Sequence, residues 1–195
     1  MRPVPRYLLW RIGLAHATTQ TSAAERDCLV RHATGRKRLV EIGVWEGVTT
    51  CRLRAAMSPD AILYGIDPYL PGRLGFSTHE RIAHGDVGRL RNGRVEWLRM
   101  TGVQAAQKFV EDQQPPVDFI FIDGDHSYQG LRNDWEHWTR LLAPGAIAAL
   151  HDSRSSATRQ IDDAGSAQFT SQIILQDPRF SLAETVDTLT VMRRA

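Results

Sequence analysis

Two short segments carry most of the chemical capacity of the chain. Phe121-Ile-Asp123-Gly-Asp125-His126-Ser-Tyr128 sets two carboxylates and an imidazole close together after a very apolar run, and Leu150-His151-Asp152-Ser153 sets an imidazole and one carboxylate after another. If the two runs are neighbouring parallel strands, about 4.8 Å apart, their tips converge on one point. Asp123 and Asp152 are then oxygen ligands for a hard divalent cation, magnesium or manganese, with His151 or a water completing the set. His126 and Asp125 can hold or take a proton beside it. A lone aspartate at a strand end is more often a helix N-cap; two such ends together favour the metal.

Glu41-Ile-Gly43-Val-Trp-Glu46-Gly47 offers a different chemistry. Its glycines let backbone approach a ligand closely, and the helix that follows presents free amide groups. Asp67 ends the next apolar run, where a carboxylate can accept both hydroxyl protons of a ribose. Together they describe a nucleoside site. A dinucleotide normally uses G-x-G-x-x-G, with room and positive potential for a pyrophosphate. Here Trp45 and Glu46 fill that place, and an acid would repel a phosphate. S-adenosylmethionine carries no phosphate, and Glu41 or Glu46 can face its ammonium or sulfonium side. Glu46 reads equally well as an acid favoured by the helix dipole.

These residues need a scaffold that brings strand tips together. Apolar runs at Arg38–Gly43, Ala61–Ile66, Val95–Met100, Val117–Ile122 and Ala146–Leu150 alternate with helical patterns at 46–57, 101–112 and 127–142. That alternation predicts an α/β fold, a mostly parallel sheet with helices on both faces. Phe180–Glu184 and Thr188–Met192, separated by Val186-Asp187, predict an appended C-terminal antiparallel hairpin. Trp135 and Trp138 lie on the apolar stripe of their helix and belong to the core. Leu70–Arg94 lacks periodicity and is expected as a loop or short helices. Its arginines 73, 81, 89, 91 and 94, with His79 and His84, read as a solvated lid before an anionic acceptor site. The domain expectation is an N-terminal helical cap, residues 1–30, on a single domain, residues 31–195. The Tyr7–Ile12 cluster either covers an acceptor pocket or packs against a second subunit in a homodimer.

Composition narrows the classes of partner. The 195 residues carry 24 basic against 22 acidic side chains, a balance that gives no reason to expect nucleic acid. No stretch approaches the roughly 18 apolar residues of a membrane span. Two prolines precede any apolar run in Met1-Arg-Pro-Val-Pro-Arg, so no signal peptide is expected. With only Cys28 and Cys51, and no disulfide framework, the expected compartment is the cytoplasm.

Glu41-x-Gly43-x-x-x-Gly47, Tyr64-Gly-Ile-Asp67, Phe119-Ile-Phe-Ile-Asp123-Gly-Asp-His126-Ser-Tyr and Ala149-Leu-His151-Asp152-Ser, in this order, resemble the class I S-adenosylmethionine-dependent methyltransferases. The Asp-Gly-Asp-His-Ser-Tyr block is similar to a bacterial group of methyltransferase family 24 type that includes metal-dependent O-methyltransferases of antibiotic sugars, and more distantly to catechol O-methyltransferase. The resemblance implies a Rossmann-like sandwich and methyl transfer to a hydroxyl of a small molecule (sugar, phenol or natural product). It places the methionine part at Glu41–Gly47, the ribose at Asp67 and the adenine near Thr101, Gly102 and Gln104. Asp123 serves both cofactor and metal. Asp123 and Asp152 match the metal aspartates, and His151 or Ser153 takes a position that is acidic or amide in relatives. The base falls on His126, where the catechol enzyme has a lysine, or on Asp125.

Three other classes compete. Against an NAD-dependent oxidoreductase, no tyrosine is followed four residues later by the lysine that short-chain reductases use. Against a metal-dependent hydrolase, such an enzyme needs neither Asp67 nor the glycine turn. A catalytically silent ligand-binding relative is the third.

Overall fold

The computed structural model describes residues 3–72 and 75–195; Arg73, one of the arginines weighed above, lies outside them. Among the described residues, seven strands form one sheet: β1 (Arg38–Ile42), β2 (Ile62–Ile66), β3 (Arg94–Leu98), β4 (Val117–Ile122), β5 (Leu142–Leu150), β6 (Phe180–Val186) and β7 (Leu189–Arg194). Their order is β3-β2-β1-β4-β5-β7-β6. β1 to β5 pair parallel, and β7 runs antiparallel to both β5 and β6, as the expected hairpin requires. The chain runs outward from β1 to β3 and then returns to start β4 on the other side of β1. This reversal opens a crevice at the carboxyl ends of β1 and β4, where ligands of open parallel sheets bind.

The helices are α1 (Pro3–Arg11), α2 (Ala23–Ala33), α3 (Val48–Ala56), α4 (Thr78–Val87), α5 (Gly102–Glu111), α6 (Tyr128–Trp138) and α7 (Gly165–Gln172). Because side chains alternate along a strand, β4 sends Phe119 and Phe121 to one face and Ile120 and Ile122 to the other. The first pair packs with Leu29 of α2 and Leu53 of α3. The second packs with Phe109 of α5, Trp135 and Trp138 of α6, and Phe169 of α7. Both tryptophans are core residues, as expected.

Three elements differ from their sequence expectation. The helix from Ser127 ends at Trp138, and after one 3-10 turn the chain is already in β5 by Leu142. Pro144-Gly145 therefore sits inside the strand. The register against β4 jumps from Val117↔Leu142 to Phe119↔Ile147, so the extra residues bulge out, with Gly145 at φ +74°. Residues 70–94 contain a full helix, α4, capped by Ser77 and burying Ile82, Ala83 and Val87; its polar, glycine-interrupted sequence hides the stripe. α2 crosses the expected division at residue 30, and its Cys28, Leu29 and Ala33 are fully buried in the sheet's core. α1 lies on α4, with Tyr7 edge-on to Phe76 and the Trp10 indole donating to Asp86, while Leu8 and Ile12 stay exposed.

Candidate functional site

The turn after β1 is shaped by contact with β4. Gly43 has φ +85°, and a Cβ there would stand 2.0 Å from the Asp123 carbonyl oxygen, so only glycine lets the two strand tips close up. Gly47, at φ +78°, starts α3, and a Cβ would meet Ala83 of α4 at 3.0 Å. Asp67, at the tip of β2, holds the turn: its Oδ2 accepts from the Val44 and Trp45 amides at 3.1 and 3.2 Å, and Oδ1 from the Tyr69 amide at 2.8 Å. A carboxylate has further lone pairs for hydroxyl donors. Glu41 lies under the turn, fully buried, with neither oxygen hydrogen-bonded. Burial, with the charges of Asp123 and Asp67, pushes its carboxyl up to about 8, so it is neutral at pH 7.

A cleft of about 530 Å³ opens at this crevice. Gly43, Asp67, Thr101, Gly102, Asp123, Asp125 and His126 line it; Glu41, Gly47, Gln104, His151 and Asp152 do not. Gln104 instead caps α5: its Oε1 accepts from the Thr101 amide at 3.0 Å, and Thr101 Oγ1 accepts from the Gln104 amide. Glu46 faces away from the cleft as well. Its carboxylate binds Arg6 Nη1 at 2.6 Å, the Thr18 amide at 2.6 Å and His79 Nδ1 at 3.2 Å, which ties α1, the 12–22 segment and α4 together. Although burial opposes it, these bonds hold the Glu46 carboxyl down at about 2. The clamp brings Thr18, Thr19 and Gln20 to the cleft wall. His79 stacks on Trp45 and His84 on Trp97; neither they nor Arg81, Arg89, Arg91 and Arg94 line the cleft.

At the other end the tips of β4 and β5 assemble the charged groups. His151 Nδ1 lies 2.8 Å from Asp123 Oδ1 and 3.7 Å from Asp152 Oδ1. Its Nε2 faces Glu25 of α2 at 3.4 Å. Burial works to lower the His151 pKa, yet the carboxylates of Asp123, Glu25 and Asp152 raise it to about 10. Half-exposed His126 puts Nε2 at 3.6 Å from Asp123 and 4.0 Å from Asp152. Asp125 accepts from the Ser127 amide at 2.9 Å, bracing the start of α6. Asp152, at φ +47°, binds Arg159 through Oδ2 at 2.7 Å, and its Oδ1 is buried without a hydrogen-bond partner.

Asp123, His126 and His151 bring ligand atoms within 4.8 Å of one another, a set that fits a divalent cation, and the orphaned Asp152 oxygen lies 3.7 Å from His151 Nδ1 at its edge. Glu25 on the outer nitrogen is the kind of partner that fixes a ligating imidazole. Binding would displace the proton His151 shares with Asp123. Sequence reasoning missed Glu25 and Arg159. Ser22-x-x-Glu25 is a capping-box signature and does cap α2, but only the packing of α2 brings Glu25 to His151. A second group of ligand-type side chains, Cys28, His32 and Glu184, lies between α2 and β6. There Glu184 is already held by Arg31 and His32, and burial pushes the Cys28 thiol up to about 12.

A mostly parallel sheet with this strand order and a C-terminal antiparallel hairpin is the Rossmann-like α/β arrangement of the methyltransferase fold. The family model described as "Methyltransferase domain" matches residues 40–153, more than half of the chain, and the chain belongs to that family. Among solved structures, the Bacillus cereus O-methyltransferase in complex with SAH is similar at TM-score 0.69 and 18% identity, over 99% of this chain and 90% of that one. The O-methyltransferase TomG of Streptomyces achromogenes, in complex with SAM, gives 0.66 and 15% over 100% and 90%. The N-methyltransferase NodS of Bradyrhizobium japonicum gives 0.61 and 18% over 87% and 93%. A curated uncharacterised protein of Sinorhizobium fredii is 27% identical over 129 residues, 63% of this chain. The chain spans 14% of that relative's length. No helix of the described residues is long and apolar enough to cross a membrane.

Proposed function

We propose that this chain transfers a methyl group from S-adenosylmethionine to a hydroxyl oxygen of a small molecule. One observation carries the reading: Asp123 belongs to both ends of the site, its backbone pressed against the Gly43 turn and its carboxylate joined to His151 and facing His126. A donor held by the turn and an acceptor held at the β4 and β5 tips therefore meet at one residue. The similarity to O-methyltransferases supports oxygen as acceptor atom, and NodS makes nitrogen the alternative.

S-adenosylmethionine supplies a methyl already activated on a sulfonium, so alignment, exclusion of water and removal of the acceptor proton are the protein's tasks. Asp67 accepts from the ribose hydroxyls while keeping its hold on the turn. Gly43 lets the methionine part lie against backbone, and neutral Glu41 beneath adds no charge there. His126 receives the hydroxyl proton as the acceptor oxygen bonds to the methyl carbon and the carbon–sulfur pair returns to sulfur. It suits this role better than Asp125, which is engaged with the Ser127 amide. Asp123, Asp152 and His151 would hold a divalent cation, manganese before magnesium given the imidazole donor, which would lower the acceptor's proton affinity. The acceptor is small, with no role for nucleic acid or membrane.

Calorimetric titration with S-adenosylhomocysteine and with NAD, each with and without manganese, tests the reading. The homocysteine compound should bind and NAD should not; binding of NAD alone would overturn it.

A further inference from the structure

The cleft contains one carboxylate with no assigned work. Asp134, on the inner side of α6, is 6% exposed and lines the cleft. Among the described residues no side chain or amide donates a hydrogen bond to it, and no cation pairs with it. Gly102 makes room for it: a Cβ there would stand 2.2 Å from Asp134 Oδ1. One turn further on, the Trp138 indole donates to the Gly102 carbonyl at 3.0 Å, which locks α6 to the start of α5. The carboxylate is therefore held in place at the wall of the cleft. Burial, with the nearby Asp125 charge, pushes it up to about 6.

The Asp134 oxygens open onto the cleft, where solvent can reach them, so a ligand that fills this part of the cleft must supply a donor in place of the water it displaces. The cofactor proposed above has three kinds of donor. Its ribose hydroxyls belong with Asp67, and its ammonium lies at the methionine end, which must bring the methyl group towards His126. The exocyclic amine of the base remains, at the opposite end of the molecule from the methionine. The wall beside Asp134 suits a flat apolar ring: Ile42, Met100 and Val103 line it with Gly102. Of the residues expected near the base, Gln104 puts its Oε1 into the α5 capping box and does not line the cleft, and Thr101 commits its amide and Oγ1 to the same box.

We propose that Asp134 accepts an N–H of the exocyclic amine of the adenine ring and so discriminates a 6-amino purine from a 6-oxo one. The inference rests on the S-adenosylmethionine reading, and its test separates the two. S-adenosylhomocysteine and its 6-oxo counterpart, S-inosylhomocysteine, are titrated into the wild type and into Asp134→Asn. The wild type should bind the amino compound at least about tenfold more tightly. In Asp134→Asn, whose amide can donate to a 6-oxo group, the preference should vanish or reverse; Asp134→Ser serves if the asparagine variant does not fold. Equal wild-type affinity for the two compounds would overturn the assignment, as would a variant that keeps the wild-type ratio. Failure of both compounds to bind the wild type would instead overturn the cofactor reading.

Discussion

The two ends of the cleft are built from different materials. At the β1 end the shape comes from backbone: two glycines at positive φ, and amides pointing at one carboxylate, Asp67. At the β4 and β5 end it comes from side-chain charge: Asp123 and His126 at the cleft, with His151 and Asp152 behind them, steadied by Glu25 of α2 and by Arg159. A backbone end is specified by a few adjacent residues and tolerates little change in any of them. A charged end depends on which carboxylate faces which imidazole or guanidinium, and since His151, Glu25 and Asp152 are buried, removing one partner leaves an uncompensated buried charge.

The largest expected effect tests the charged end. His126→Ala should lower turnover, on any hydroxyl acceptor that the wild type methylates, by about two to four orders of magnitude. S-adenosylhomocysteine affinity should not change, since the backbone end is untouched. A loss below tenfold would remove His126 from the mechanism. Gly43→Ala probes the other end. Positive φ and the clash with the Asp123 carbonyl should weaken S-adenosylhomocysteine roughly a hundredfold, equivalent to about 3 kcal/mol of strain. Affinity within threefold of wild type would show that the turn has slack the geometry does not suggest.

Two smaller effects concern the supports. Glu46→Ala leaves Arg6, His79 and the Thr18 amide without their shared acceptor. A loss of about 3 kcal/mol, or a melting temperature lower by roughly 6–12 °C, is expected. Scanning calorimetry checks it, and an unchanged melting temperature would mean that the clamp is ornamental. The subtlest effect is on pH dependence. Glu41 keeps its proton to about pH 8 in the folded chain and releases it near its ordinary value when unfolded. The folded state thus binds more protons between these limits, and the stability due to this group falls as pH rises from about 4.5 to 8. Urea midpoints at pH 5 and pH 8 should show the wild type losing stability relative to Glu41→Gln; parallel curves would place a charged carboxylate under the turn.

The contrast between the two ends also accounts for what could be read in advance. The places of Gly43 and Asp67 at the cleft were legible because they follow from local rules: an apolar run, a glycine, an acid at the next strand tip. Glu46 was ambiguous between cofactor and helix start. Its partners Arg6, Thr18 and His79 come from elements whose placement no periodicity announces, so its clamp role was hidden. Gln104 had a visible local explanation, the Thr101 capping box, which its neighbourhood to a binding turn obscured. Glu25 and Asp134 were invisible as site residues for one reason: each is a polar residue on a helix whose orientation is set by the apolar residues on either side of it.

The sequence by itself determined the alternation of strands and helices, the antiparallel ending and the acids at the strand tips, because hydrophobic period and glycine placement are local properties of the chain. Only the tertiary structure decided that His151 lies between Asp123 and Glu25, that Asp152 meets Arg159, and that Asp134 reaches the cleft. His151 meets partners 28 and 126 residues away, and even the nearby Arg159 reaches Asp152 only through an irregular loop, so the energies of these pairings depend on burial and on distances that exist only once the helices have packed against the sheet.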